Sequence, residues 1–152
     1  MTKPSFQLFH ITVKGLIFYQ DRFLLHQEDN YKCPGSLECP GGRVDVGEPV
    51  ETALFRELRE EIGLDLDHTE HTRRLFTLNQ RDASDYGHDD TTAILELYYI
   101  ITIPDTVTFQ PQALAEVDTL IWIDRQTDLD TFKYEVPSRK AIYRQAQQLL
   151  TP

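Results

Sequence analysis

The sequence predicts an α/β fold, a mixed β-sheet covered by helices, and three observations carry that prediction. Runs dense in β-branched and aromatic residues occur at Phe9–Tyr19 and Thr91–Ile103, a composition that suits a pleated, half-buried surface. Between them lies a charged amphipathic helix, from Pro49 to Ile62, whose apolar residues recur at helical spacing. A second such helix, Pro137–Leu150, follows the last strand run. Strands, helix, strands and a final helix, in that order, build a sheet with helices packed on it. With 152 residues and 40% hydrophobic composition, a single domain over 1–152 with a core of its own is expected.

Charge and cysteine content narrow the function. The net charge of −10 sets a nucleic-acid polyanion aside as the main partner. It leaves room for a small phosphorylated substrate if a divalent metal bridges the two sets of negative charge. No apolar run reaches about 18 residues, so no membrane span is expected. Met1-Thr2-Lys3-Pro4 lacks the apolar run of a secretory signal, which points to the cytoplasm. Cys33 and Cys39 are the two cysteines, read as free thiols in a reducing compartment.

In chain order, Phe9–Tyr19 and Phe23-Leu24-Leu25 flank the short polar turn Gln20-Asp21-Arg22 and form a hairpin. Glu28 to Ser36 has no apolar period and reads as a loop. Leu75-Phe76-Thr77-Leu78 is a strand after a polar stretch in which His68 and His71 are surface histidines. Gln80–Asp90 is an acidic turn whose Asp82, Asp85, Asp89 and Asp90 read first as a solvated hairpin tip, second as a metal or substrate loop. In the strong strand Thr91–Ile103, the lone charge of Glu96 faces either solvent or a cleft. Ala115–Trp122 is a later strand with Glu116 at its start, and Pro137–Leu150 presents Ala141, Ile142, Ala146, Leu149 and Leu150 at helical spacing.

The central helix holds the chemistry. Advancing about 100° per residue, Val50, Leu54, Leu58 and Ile62 lie from roughly 0° to about 120° and Ala53 at about −60°, forming one stripe. Glu57 falls near about −20° and Glu61 near about +20° on the same wheel, within that stripe, with Glu60 close by at about −80°. Thr52, Arg56 and Arg59 take the far side. A solvated face would place its carboxylates opposite the apolar stripe. Partly buried carboxylates are costly unless paired or coordinated, so this cluster calls for a cation. Pro49 suits the first helical position, Glu48 and Glu51 lie near the positive end of the helix dipole, and Gly63 supplies the left-handed stop. Pro40-Gly41-Gly42 ahead of the helix lets the backbone approach a ligand closely, which makes Gly41, Gly42 and Arg43 candidates for substrate contact.

The stretch Gly42–Leu64 resembles the Nudix box: Gly, five residues, Glu, seven residues, Arg-Glu, an aliphatic, any residue, Glu-Glu, any residue, Gly, an aliphatic. Gly42, Glu48, Arg56-Glu57-Leu58, Glu60-Glu61 and Gly63-Leu64 satisfy every fixed position. Leu37–Gly42 resembles the entry that many members show. The resemblance implies an α/β/α sandwich that hydrolyses a nucleoside diphosphate linked to another group, X. It implies Mg²⁺, with Mn²⁺ as an alternative, held by Glu57, Glu60 and Glu61. It gives Arg56 and Glu48 the task of pairing with and orienting box carboxylates. Members often bring a further carboxylate from outside the box, and Glu96, Glu116 and the acidic turn all qualify, so the general base stays open between these and a box glutamate. Arg22, His26 and Lys32 could touch substrate, although exposed polar residues are the commoner case. Subfamilies acting on ADP-ribose or diadenosine polyphosphates carry a marker Pro or Tyr where this chain has Asn79, Gln80 and Arg81. The elimination leaves a small-molecule nucleotide substrate such as a (deoxy)nucleoside triphosphate, and the alternative is a non-catalytic nucleotide-binding regulator of the same fold. Many relatives pair as dimers, so a second copy of the chain is a further expected partner.

Overall fold

A computed structural model describes residues 6–28, 32–82 and 92–152; Asp85, Asp89 and Asp90 of the acidic turn lie outside the described residues. The chain order is β1 (Leu8–Tyr19), β2 (Arg22–Glu28), β3 (Ser36–Glu38), β4 (Gly41–Arg43), α1 (Val50–Ile62), β5 (Thr72–Asp82), β6 (Thr92–Thr102), β7 (Val117–Ile123) and α2 (Ser138–Gln147). The strands run β3-β2-β1-β6-β5 across one sheet, with β4 joined to β1 and β7 to β2. β1 and β6 are parallel and the other pairs antiparallel. The sheet is mixed.

The hairpin turns on Gln20 and Asp21, both at positive φ (52° and 56°), the two-residue geometry whose twist matches the flanking strands. β1 and β2 then stay together only over Ile17–Tyr19 and Arg22–Leu24. Beyond that point β1 takes β4 as its neighbour and β2 takes β3, while β7 runs along the other edge of β2 from Phe23 to Glu28. The sheet forks, and the fork becomes the mouth of a cleft.

Each face of the sheet carries a helix. Ala53, Leu54, Leu58 and Ile62 of α1 pack on Val13, Ile17, Leu24 and Ile101. Ile142, Tyr143 and Ala146 of α2 pack on Leu16, Leu25, Leu37 and Tyr98 of the opposite face. The result is an α/β/α sandwich. Gly63 ends α1 in the left-handed region (φ 69°), with its N–H on the Arg59 carbonyl and that of Leu64 on Leu58, a closure that satisfies otherwise orphaned carbonyls.

Several boundaries differ from the sequence reading. Pro49 is extended (ψ 143°) and precedes α1, with its carbonyl accepting from Ala53 N. β5 begins at Thr72, and Leu75 and Leu78 stand exposed on it, because an edge strand is covered on one side only. α2 ends at Gln147, short of the expected Leu150. Ala141 on it and Leu149 after it face solvent while Arg139 and Tyr143 are buried, and an ion pair in the interior outweighs the simple apolar pattern there.

Gly41 is the tightest point. Its φ is +144°, and a Cβ there would lie 2.0 Å from the Val13 carbonyl oxygen. Neither β1 nor the Gly41 backbone can yield without breaking the β1–β4 pairing. Gly41→Ala is expected to destabilise the fold by more than about 3 kcal/mol. Urea unfolding of the purified variant checks this; a loss under about 1 kcal/mol contradicts the packing described.

Candidate active site

The carboxylates of α1 meet the β4 backbone at the fork. Glu61 Oε2 accepts a hydrogen bond from Gly41 N at 2.8 Å, and the His26 imidazole stands 3.9 Å behind it. Glu57 lies under Gly42, where a Cβ would come within 2.4 Å of its carboxyl carbon. Its Oε1 accepts from Arg56 Nη1 at 2.7 Å. Arg56 also gives Nε to Glu48 Oε1 at 2.9 Å and Nη2 to the Arg43 carbonyl. That one guanidinium ties the helix to the loop ahead of it. Glu60 is exposed, with Oε2 3.5 Å from the same Arg56.

Glu57 and Glu61 line a cleft of about 380 Å³ together with Gly41, Gly42 and Arg43. The donor chemistry, oxygen only and drawn from one rigid helix, fits a hard divalent cation such as Mg²⁺. Among the described residues no three His, Cys, Asp or Glu side chains converge on a single point. The reason is visible in the hydrogen bonds: Arg56 draws Glu57 and Glu60 one way while Gly41 draws Glu61 another. Ligation would exchange bonds to nitrogen for bonds to the cation.

The far wall is built from other elements. Lys14 of β1, Glu38 of β3 and Arg139 of α2 line the cleft, and so do Glu28, Lys32 and Glu116. Glu96 is not among the lining residues. It is fully buried, facing neither solvent nor the cleft. Both its oxygens are held by Arg139, and Asn79 (2.9 Å), Tyr98 (3.1 Å) and Arg81 (3.3 Å) complete the enclosure. Burial alone would raise its pKa, but the charge and hydrogen bonds of Arg139 overcome that and hold it at about 2. Glu96 therefore serves as an anchor for Arg139, and Arg139 in turn grips Glu38, with Nη1 2.6 Å from Oε1.

Other candidates fall elsewhere. Arg22 stacks on the Trp122 ring at 4.3 Å. His26 is neither exposed nor on the cleft wall; burial first, then the charge of Lys14, keep its imidazole neutral with a pKa lowered to about 3. His68 pairs with Asp65 and His71 with the Thr69 carbonyl on the surface. Lys14, Glu38 and Arg139 were not flagged from sequence, although a lone lysine within the apolar run Ile11–Phe18 was a legible signal. Cys33 and Cys39 are free thiols, and among the described residues no helix is long and apolar enough to cross a membrane.

Comparison with known proteins identifies the family and the fold. The family model of the NUDIX domain matches residues 8–145. The nucleoside triphosphatase NudI of Escherichia coli O1:K1 is 32% identical over 117 residues, covering 76% of this chain and 79% of that protein. The ADP-ribose pyrophosphatase of Methanocaldococcus jannaschii is 41% identical over 54 residues, 36% of this chain, and the match spans 32% of that protein. The chain thus spans about a third of that curated relative. Among solved structures, the E. coli dihydroneopterin triphosphate pyrophosphohydrolase superposes with a TM-score of 0.70 at 18% identity, over 91% of this chain and 97% of that one, a likeness of fold.

Glu61 gives the metal-free protein a pH signature. Burial, reinforced by Glu57, outweighs the opposing effects of Lys14 and the Gly41 N–H and raises its pKa from 4.5 to about 7. Between those values the native state binds the proton that the unfolded chain has lost. Folding is therefore favoured at the acid end, and stability falls as pH rises from 4.5 to about 7. In EDTA, the wild type should lose on the order of 3 kcal/mol more than Glu61→Gln between pH 4.5 and 7.5. Parallel denaturant titrations at the two pH values check this, and equal losses in both proteins contradict it.

Proposed function

We propose the reaction of this cleft from one premise: the chain belongs to the Nudix family. The protein is a pyrophosphohydrolase of nucleotides, cleaving a phosphoanhydride in a nucleoside diphosphate linked to X, with Mg²⁺ as its metal and Mn²⁺ as a substitute. A (deoxy)nucleoside triphosphate is the substrate that the resemblance to nucleoside triphosphatase NudI favours. The observation that carries the reading is the pair Glu57 and Glu61, set by a buried helix face into a cleft whose rim is the Gly41-Gly42 backbone.

A bound divalent cation would lower the pKa of a water and neutralise charge on the phosphates. Glu57, Glu60 and Glu61 would hold it, and Glu61 must release its proton to do so, which ties metal affinity to pH near 7. Arg56 and Glu48 keep the helix carboxylates aligned through the contacts at 2.7 and 2.9 Å. Gly41, Gly42 and Arg43 form the part of the wall nearest those carboxylates and bind substrate. Glu116, which lines the cleft, is the accessory carboxylate outside the box, and it or a box glutamate is the general base. The free thiols suit a reducing compartment, and the reading places the protein in the cytoplasm.

The test is a panel of nucleoside triphosphates, nucleotide sugars and capped RNA, assayed with Mg²⁺ and with Mn²⁺ for phosphate or pyrophosphate release. The wild type should turn over at least one member. Glu61→Gln should lose about 100-fold or more in kcat with its fold intact. Near wild-type turnover by the folded variant overturns the metal-site assignment, and no turnover on any member overturns the enzymatic reading.

A further inference from the structure

Lys14 is a charged side chain in a place that needs explaining. It is 7% exposed, in the centre of the sheet on β1, yet it lines the cleft and stands opposite Gly41 in register. An ammonium carries three donors. One reaches the Cys39 carbonyl at 3.3 Å. Glu38 Oε2 lies 3.9 Å away, beyond hydrogen-bonding distance. Among the described residues, these contacts leave donor capacity on Nζ beside the cleft.

The neighbouring cation is more fully engaged. Arg139 directs Nη1 to both oxygens of Glu38 and Nε and Nη2 to Glu96. Glu38, the carboxylate nearest to Lys14 in the ion-pair network, is therefore already claimed. Within that network Lys14, Arg139 and Arg81 face Glu38 and Glu96. Glu61 also acts on Lys14 electrostatically, but a Glu61 engaged with a metal would no longer balance it. Burial and Arg139 work against the ammonium, and the combined pull of Glu38, Glu96 and Glu61 overcomes them and raises its pKa, so it stays charged. A buried, protonated cation with spare donors beside a ligand cleft is matched by an anionic oxygen.

We propose that Lys14 is a catalytic residue of this chain, its ammonium donating to a non-bridging phosphoryl oxygen of the substrate held beside Glu57 and Glu61. The proposal rests on the nucleotide reading above, and it assigns to the substrate one of several cations in the cleft wall, beside Lys32, Arg43 and Arg139, in a chain of net charge −10. Its position on a central strand fixes the donor by packing, which a surface lysine could not do. The phosphate would find its partner already in place.

Calorimetric titration with the four ribonucleoside monophosphates and their parent nucleosides, in Mg²⁺, separates a phosphate contact from a base contact. The wild type should bind at least one monophosphate more tightly than its nucleoside. Lys14→Met should lose about 10- to 100-fold of the monophosphate affinity, with nucleoside affinity within about 2-fold. Its kcat/KM should fall in proportion on whichever nucleotide the wild type hydrolyses. Unchanged monophosphate affinity overturns the proposal, as does a wild type that shows no preference for the monophosphate. An equal loss for monophosphate and nucleoside also overturns it, because Lys14 would then be contacting the base. Circular dichroism and a thermal melt verify folding, and if Lys14→Met does not fold, Lys14→Gln carries the same measurements. A wild type that binds monophosphates through Lys14 but hydrolyses nothing on the panel would sink the enzymatic reading and leave this contact standing.

Discussion

The cleft depends on a close approach: the Gly41-Gly42 backbone is pressed between a strand and a helix with no room for a side chain. At Gly41 a Cβ would strike the Val13 carbonyl of β1, and at Gly42 it would strike the Glu57 carboxyl group of α1. The Gly41 N–H meanwhile holds Glu61. This contact sets the distance between α1 and the sheet at the fork, and with it the depth at which the helix carboxylates sit. The fork itself follows from register, since β1 exchanges β2 for β4 beyond Ile17.

Around that contact the protein buries charge on both sides of the sheet, and each burial is balanced differently. On the α1 side the single charge of Arg56 is shared between Glu57 and Glu48 through short hydrogen bonds near the surface, where a cation would compete for the carboxylates. On the α2 side Arg139 joins Glu38 to Glu96 in the interior, and removing one partner of such a pair leaves an uncompensated buried charge at a cost of roughly 3–5 kcal/mol. The first arrangement can be exchanged for ligand bonds; the second cannot. The cleft runs between them, with an adjustable carboxylate wall facing a rigid one.

Much of this was legible in the residues. The longer strands, α1 with its left-handed stop at Gly63, and the hairpin at Gln20-Asp21 all obey local rules of periodicity and turn chemistry, whereas the three-residue strands β3 and β4 gave no such signal. Glu57 and Glu61 could be placed on the buried side of α1 because helical spacing alone puts them within the apolar stripe. α2 was legible as a helix but not in its orientation: Ala141 and Leu149 read as part of its apolar face, and nothing in the pattern singled out Arg139 as buried. Glu96 was ambiguous for the same reason, since a carboxylate within a strand does not disclose which arginine it will meet.

The chain by itself determined the elements and the carboxylate helix, because these follow from interactions between residues near one another in sequence, while the α/β/α sandwich came from the resemblance of Gly42–Leu64 to the Nudix box. Only the tertiary structure decided where each charge ends up. It took Glu96 out of the cleft by pairing it with Arg139, 43 residues away in the chain, and placed His26 behind Glu61 as a neutral group. It also set Lys14 in the wall with donors to spare. The physical reason is that an ionic side chain is placed by its partners across the fold, and the desolvation it suffers depends on strands and helices that meet only when the sheet closes.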